Sequence, residues 1–264
     1  MLPKPEHLSF EYAKEYQDQT VVAAYKYRPP YPAEIYDLLV SLIHAEKSRI
    51  LDIGCGLGDI ARPLATRVAQ IDAIDASTHM ITLGKTLPGG DNPSLHWICG
   101  RVENVTFESL YELITAGESL HWMDWELIFP RFHALLAPGG YLALAHRWEL
   151  SNAWTLALNR LIIRYSTYQS YKGHDIVHEL QRRKLFTIVG QHRTAPVNFH
   201  QSVDDYLTGL HSRNGLSCER LHPEDRAAFD HAVRKLLAPF AQNNMLSLKI
   251  MGEVIWGTPV FLYE

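Results

Sequence analysis

The chain has 264 residues, 47% of them hydrophobic and 20% charged, a balance that supplies a large core and excludes a disordered chain. Its formal net charge of −4 offers no basic field for a phosphate backbone, so a nucleic-acid partner is disfavoured. The cysteines Cys55, Cys99 and Cys218 are too widely spaced for a disulfide framework or a zinc pattern, and no segment is long and apolar enough to cross a bilayer; the expectation is a cytoplasmic protein without a membrane anchor.

After a polar opening, "PPYPAEIYDLLVSLIHAE" (29–46) predicts a helix with prolines at its start and an apolar face of Ile35, Leu38, Leu39, Leu42 and Ile43. Short apolar runs bounded by turn residues then predict strands at 49–53, 70–75, 94–99, 111–116 and 141–146. Between the first two, "DIARPLATRVA" (59–69) reads as a helix in which Pro63 fits only near the first turn. "ELIFPRFHALLAPGG" (126–140) reads as a helix ended by glycine. Strands alternating with helices imply right-handed crossovers, hence an α/β fold with a parallel sheet covered on both faces. Beyond residue 150, "AWTLALNRLIIRYSTYQSY", "SVDDYLTGLHSRNG" and "HPEDRAAFDHAVRKLLAPFA" predict further helices, and the runs 184–200 and 245–263 predict an antiparallel pair closing the sheet edge. No linker separates the halves. Residues 1–150 are expected to form an N-terminal cap and ligand-binding core, and 151–264 a helical lid with the remaining strands of the same domain.

"ILDIGCGLGD" places Gly54, Gly56 and Gly58 directly after the first strand, with Cys55 between the first two. Glycines there allow a sharp turn and close approach of a ligand to the backbone. A dinucleotide fingerprint needs glycines at offsets zero, two and five; here the third lies at offset four and Asp59 takes the fifth, where its charge would repel a pyrophosphate. Asp75 ends the second strand, where a carboxylate is able to take both ribose hydroxyls; Asp52 ends the first. Each also has a plain structural reading, Asp52 as a loop cap and Asp75, followed by Ser77, as part of a helix N-cap. The set points to a nucleoside ligand without phosphates.

"LDIGCGLG", "AIDAS..M" and "CGRVENV" together resemble the successive S-adenosylmethionine-binding motifs of class I methyltransferases, in the small-molecule branch, across residues 20–150. The resemblance implies a Rossmann-like sheet of seven strands, mostly parallel with the last antiparallel. It implies that Gly54, Gly56 and Gly58 pass beside the methionine moiety and ribose of the cofactor S-adenosylmethionine, that Asp75 holds the ribose, and that Ala76 and Met80 flank the adenine. The next motif commonly reads Gly-Asp-Ala-Glu; this chain has Gly100, Arg101, Val102 and Glu103. Arginine accepts no hydrogen bond, so the adenine amino contact passes to Glu103 or to a backbone carbonyl, with Val102 against the ring. "AYKYRPPYP" resembles the tyrosine-containing cap of relatives, in which Tyr27 would close over the sulfonium and Arg28 would pair with the cofactor carboxylate. Alternatively Tyr25, Tyr27 and Tyr31 pack a proline-rich turn.

"TAGESLHWMDW" (115–125) follows the fourth strand and resembles a loop of trans-aconitate-like methyltransferases. His121 is there either a general base or a loop histidine bonded to backbone; His146, ending the fifth strand, is a second candidate, and Trp122 and Trp125 wall the pocket or pack the core. No H-E-x-x-H motif occurs, so no metal is expected. Trp154, Tyr165, Tyr168 and Tyr171 are expected in a lid that selects an aromatic, apolar or heterocyclic acceptor. The reading is methyl transfer to a small-molecule acceptor by a monomer or homodimer. Rival readings are a carboxyl methyltransferase using Arg147, Arg160 and Arg164, a non-catalytic cofactor-binding module, and an RNA methyltransferase, which the acidic balance and the lack of an Asn-Pro-Pro-aromatic motif disfavour.

Overall fold

In a computed structural model that describes residues 4, 8, 10–44, 48–168 and 175–260, the apolar runs assemble into one sheet. β1 (Arg49–Ile53), β2 (Gln70–Asp75), β3 (Leu95–Cys99), β4 (Tyr111–Gly117) and β5 (Leu136–Glu149) run parallel in the order β3-β2-β1-β4-β5. Ile50, Leu51 and Ile53 of β1 are fully buried, as expected of a strand sandwiched between helical layers. α3 (Ala33–Ser41) and α4 (Ala61–Leu64) cover one face through Ile35, Leu39 and Leu64; α6 (Trp125–Leu135) and α8 (Ile176–Arg182) cover the other through Ile128, Phe129 and Leu180.

The sheet has eight strands where seven were expected. The run predicted as one strand at 184–200 becomes β6 (Phe186–Arg193) and β7 (Val197–Ser202), both antiparallel to β8 (Met245–Pro259), whose opposite edge pairs with β5. Thr194 still donates its N–H to Gly252 O at 2.9 Å, but Pro196 has no N–H to give, and the ladder breaks there. Two predicted helices also differ. The one expected over 59–69 shrinks to the single turn of α4, closed by a tight bond from Arg67 N–H to Leu64 O at 2.8 Å, and β-branched Thr66 and Val68 favour leaving the helix for β2. The 126–140 segment does not end in a glycine cap: α6 stops at Leu135, Leu136 already pairs with Tyr111, and Pro138, Gly139 and Gly140 lie within β5 at a register shift.

α7 (Thr155–Tyr165), α9 (Val203–Leu210) and α10 (Pro223–Leu237) build a second apolar cluster, in which Leu158, Tyr206, Phe229 and Val233 pack on Leu246, Leu248 and Ile250 of β8. The expected lid aromatics serve this packing: Trp154 meets Phe240 at 5.1 Å between centroids, Tyr165 meets Phe229 at 5.8 Å, and Tyr168 meets Tyr12 at 4.0 Å. Tyr171 lies outside the described residues. The amino-terminal stretch, with α1 (Phe10–Ala13), a tight turn over Lys14–Gln17 and α2 (Gln19–Tyr25), is fastened to the loop after α9. Arg220 donates to Asp18 Oδ2 at 2.6 Å, Gly215 N–H to Glu15 Oε2 at 2.6 Å, and Asn214 Nδ2 to Tyr12 O at 3.0 Å. No described helix is long and apolar enough to cross a membrane.

Candidate functional site

Strand order reverses between β1 and β4, and open α/β sheets bind ligands at the carboxyl ends of strands beside such a reversal. A cleft enclosing about 810 Å³, including space open to solvent, lies at that edge and falls in the size range of small-molecule sites. α5 (Thr78–Thr86) forms its side wall, starting at Ser77, whose side chain accepts from Met80 N–H. Of the cofactor residues read from sequence, Gly54, Gly56, Asp75, Ala76, Met80, Val102 and Glu103 line it. The Asp75 carboxylate is fixed by two backbone donors, Gly56 N–H to Oδ2 and Ser77 N–H to Oδ1, each at 2.8 Å. Each oxygen keeps a lone pair for a ligand hydroxyl. Burial pushes the Asp75 carboxyl up, against the lowering effect of those two bonds.

The glycine loop is built for close approach. Gly54 and Gly56 have φ of 61° and 56°, a region that side chains disfavour. A Cβ on Gly54 would stand 2.5 Å from Ser119 Cβ, whereas one on Gly56 would meet nothing closer than Tyr25 at 3.8 Å, so the space opposite Gly56 is open. Gly58 turns away from the cleft and makes room for the Trp97 ring. Substituting Gly54 by Ala is expected to cost about 2 to 4 kcal/mol, from left-handed strain plus overpacking, read as a lowered thermal midpoint; an unchanged midpoint would contradict the packing described.

A smaller cavity adjoins the cleft, sharing Tyr25, Gly54 and Gly117 with it, and is lined further by Tyr31, Asp52, Cys55, Asp59, Ile60 and Arg147. Two polar atoms in its wall are buried with no hydrogen-bond partner among the described residues: Asp52 Oδ2 and Arg147 Nη1. Asp52 Oδ1 accepts from Thr115 at 2.8 Å, and burial pushes this carboxyl up to about 7. Arg147 Nη2 donates to Asp59 Oδ2 at 2.8 Å, and its guanidinium lies 4.4 Å from the Tyr31 ring centre. Asp59, at the offset where a dinucleotide loop carries glycine, therefore orients an arginine. Cys55 contributes a buried thiol whose pKa burial drives upward.

Other expected residues are placed differently. Tyr27 does not line the cleft; its carbonyl accepts from Gln201 Nε2 at 2.6 Å and its backbone packs on Gly209. Tyr25 takes the cleft position, forming an aromatic wall with Tyr16 and Trp122. Arg28 donates from Nε to Ser212 Oγ at 2.7 Å and from Nη2 to Ser212 O at 2.6 Å, away from the small cavity. Glu103 receives Asp124 N–H at 2.9 Å and Arg101 Nε at 3.3 Å, and although burial acts to raise its pKa, these bonds hold it below the usual carboxylate range. His121 packs its ring on Trp122 at 4.5 Å and does not itself line the cleft. Trp125 is core, bonded to Leu120 O. His146 Nδ1 lies 3.2 Å from Oε1 of Glu118, which lines the cleft; burial acts to lower the histidine pKa, but Glu118 outweighs it and the net direction is upward. Tyr16, Tyr25, Glu118 and Ser119 were not legible as site residues. Glu118, at φ 53°, owes its aim to a backbone conformation that no side-chain pattern announces.

A glycine loop at a sheet reversal, a fixed carboxylate after β2 and an aromatic wall sit on a sheet with the fold that solved class I methyltransferases share. Residues 50–140 match the family model described as a methyltransferase domain. The chain is similar to malonyl-[acyl-carrier protein] O-methyltransferase 1 of Ilyobacter polytropus, 32% identical over 41% of this chain and 42% of that protein. It is also similar to the ubiquinone biosynthesis O-methyltransferase of Nitrobacter winogradskyi, 33% identical over 38% of this chain and 40% of that protein. It thus spans less than half the length of both. The SAM-dependent methyltransferase of Geobacter sulfurreducens, solved in complex with S-adenosyl-L-homocysteine, shares the fold at 14% identity, with a TM-score of 0.53 over 98% of this chain and 100% of that one.

Proposed function

We propose that this chain binds S-adenosylmethionine in the cleft and transfers its methyl group to a small-molecule acceptor. The carrying observation is the pair of buried polar atoms with no hydrogen-bond partner among the described residues, Asp52 Oδ2 and Arg147 Nη1, in the cavity beside Asp75. Buried polar atoms left without partners are costly, and a zwitterionic amino-acid end satisfies both at once. In this reading Arg147 takes the carboxylate role expected of Arg28, Asp52 faces the ammonium, and Asp75 holds the ribose. Ala76, Met80 and Val102 supply apolar contact for the adenine, with Glu103 or a backbone carbonyl receiving its amino group, and Tyr25 replaces Tyr27 as the ring facing the sulfonium.

When bound, the cofactor supplies a methyl group on a sulfonium, already strongly electrophilic. The chain's task is then mainly alignment, which supplies about 7 to 11 kcal/mol when well executed. Tyr16, Tyr25 and Trp122 exclude water over the cleft. Neither histidine ring lines the cleft; where the acceptor must lose a proton, His146 is favoured over His121 because its Nδ1 lies 3.2 Å from the carboxylate of Glu118, which does line it.

Titration calorimetry with S-adenosylhomocysteine tests the binding step, with one site per chain expected; absence of binding overturns the reading. Incubating the chain with S-adenosylmethionine and a metabolite panel tests turnover. Binding without any methylated product would favour the non-catalytic module.

A further inference from the structure

Among the described residues, four that are not glycine adopt a left-handed backbone: Glu118, Lys184, Asn243 and Asn244. Of these, Glu118 alone lines the cleft or the cavity beside it. Asparagine visits that region readily and glutamate rarely, so the φ of 53° at Glu118 is imposed by its surroundings. Its N–H donates to Ala145 O at 3.2 Å, which fastens the turn after β4 to β5. Backbone strain of this kind persists where a side chain must be aimed.

The carboxylate shows what the aim achieves. Oε1 faces both His146 Nδ1, at 3.2 Å, and the Arg147 N–H, at 3.1 Å. Oε2 has no hydrogen-bond partner among the described residues, and the side chain is still 37% exposed where it lines the cleft. Burial acts to raise the pKa of Glu118, but the bond and charge of His146 and the Arg147 N–H outweigh it and hold the group below the usual carboxylate range. The cleft and the small cavity share Tyr25, Gly54 and Gly117, and Gly117 immediately precedes Glu118. With the amino-acid end of the cofactor in the small cavity and its ribose on Asp75, the sulfur that joins them belongs at this junction.

We infer that Glu118 faces the transferring methyl position through Oε2 and there accepts a hydrogen bond from the acceptor, which is a hydroxyl or amine nucleophile and not a carboxylate. This rests on the methyltransferase reading above. A hydroxyl or amine brings an O–H or N–H donor, and an ionised oxygen makes the stronger kind of hydrogen bond with it. A carboxylate acceptor at the same point would meet like charge. The arginines expected from the sequence to hold such an acceptor do not serve it: Arg147 is bonded to Asp59 at the small cavity, and Arg160 and Arg164 are exposed on α7 and line neither cavity. His146 then acts through Glu118, as a positioning residue.

The test compares two cofactor analogues by calorimetry on the full chain. S-adenosylhomocysteine has a bare sulfur, whereas sinefungin carries a primary amine, in place of the methyl group, on the carbon that replaces the sulfur. The wild type is expected to bind sinefungin about tenfold or more tightly than S-adenosylhomocysteine, and Glu118→Gln to bring the two within about threefold. A ratio is the readout because a loosened loop would weaken both analogues together and leave it unchanged. No preference for sinefungin in the wild type, or the same preference in Glu118→Gln, would overturn the inference while leaving the cofactor reading intact. So would a methyl ester as the product formed from S-adenosylmethionine and a metabolite panel, whereas a methyl ether or an N-methyl product supports the inference and tells hydroxyl from amine. If neither analogue binds, the cofactor reading falls and the inference falls with it.

Discussion

Replacing Asp75 by Ala is expected to weaken S-adenosylhomocysteine binding by about two to four orders of magnitude. A charge-assisted hydrogen bond contributes about 1.5 to 3 kcal/mol, and this carboxylate has one free acceptor direction on each oxygen for the two ribose hydroxyls. The substitution also strips the partners from Gly56 N–H and Ser77 N–H, which Asp75 accepts at 2.8 Å, so part of the loss comes from a loosened glycine loop. Asp75→Asn separates the two contributions. It retains one acceptor oxygen and the side-chain shape, so a smaller loss, with little change in thermal midpoint, is expected by calorimetry and thermal denaturation. Affinity within tenfold of the wild type in Asp75→Ala would remove the residue from the cofactor site.

The sequence made this carboxylate legible because its signal is local: a strand end 17 residues after Gly58, followed by Ser77 as a cap. The glycine spacing is local too, and β1 to β5 follow from short apolar runs with little tertiary ambiguity. What escaped depends on contacts between segments far apart in the chain. Arg28 and Tyr27 carry the residue types expected of a cap, but the pull of Ser212 and Gln201, both in the second half, turns them toward β7 and the loop after α9. Tyr25 falls in the cleft instead. Arg147 reaches the small cavity because Asp59 holds it, a pairing across 88 positions that no spacing rule reveals. The eighth strand has a local cause after all, since Pro196 stood in the run read as continuous.

Asp52 makes the second large effect one of pH. Its folded-state pKa is raised from 3.8 to about 7, mainly by burial, with Asp59 and Asp75 adding to the shift and Thr115 opposing it. The folded ligand-free chain therefore holds a proton that the unfolded chain releases near pH 4. The contribution of this group to stability is fully present below about pH 4 and is lost as pH rises to about 7, by up to about 4 kcal/mol at 1.36 kcal/mol per unit. Ligand binding should show the opposite trend. An ammonium beside Oδ2 favours the ionised carboxylate, so affinity for S-adenosylhomocysteine is expected to rise with pH until about 7 and then level off. Below that point binding releases a proton, detectable as a calorimetric heat that varies with the ionisation enthalpy of the buffer. Asp52→Asn can keep the bond from Thr115 through its amide oxygen and cannot ionise. The variant is expected to be more heat-stable than the wild type above pH 7, to bind S-adenosylhomocysteine more weakly there, and to lose most of the buffer dependence, the remainder coming from Asp75, which burial also pushes up. A variant that loses stability and affinity together would mean that Asp52 only caps the loop; gain in one with loss in the other is the mark of a buried charge kept for a ligand.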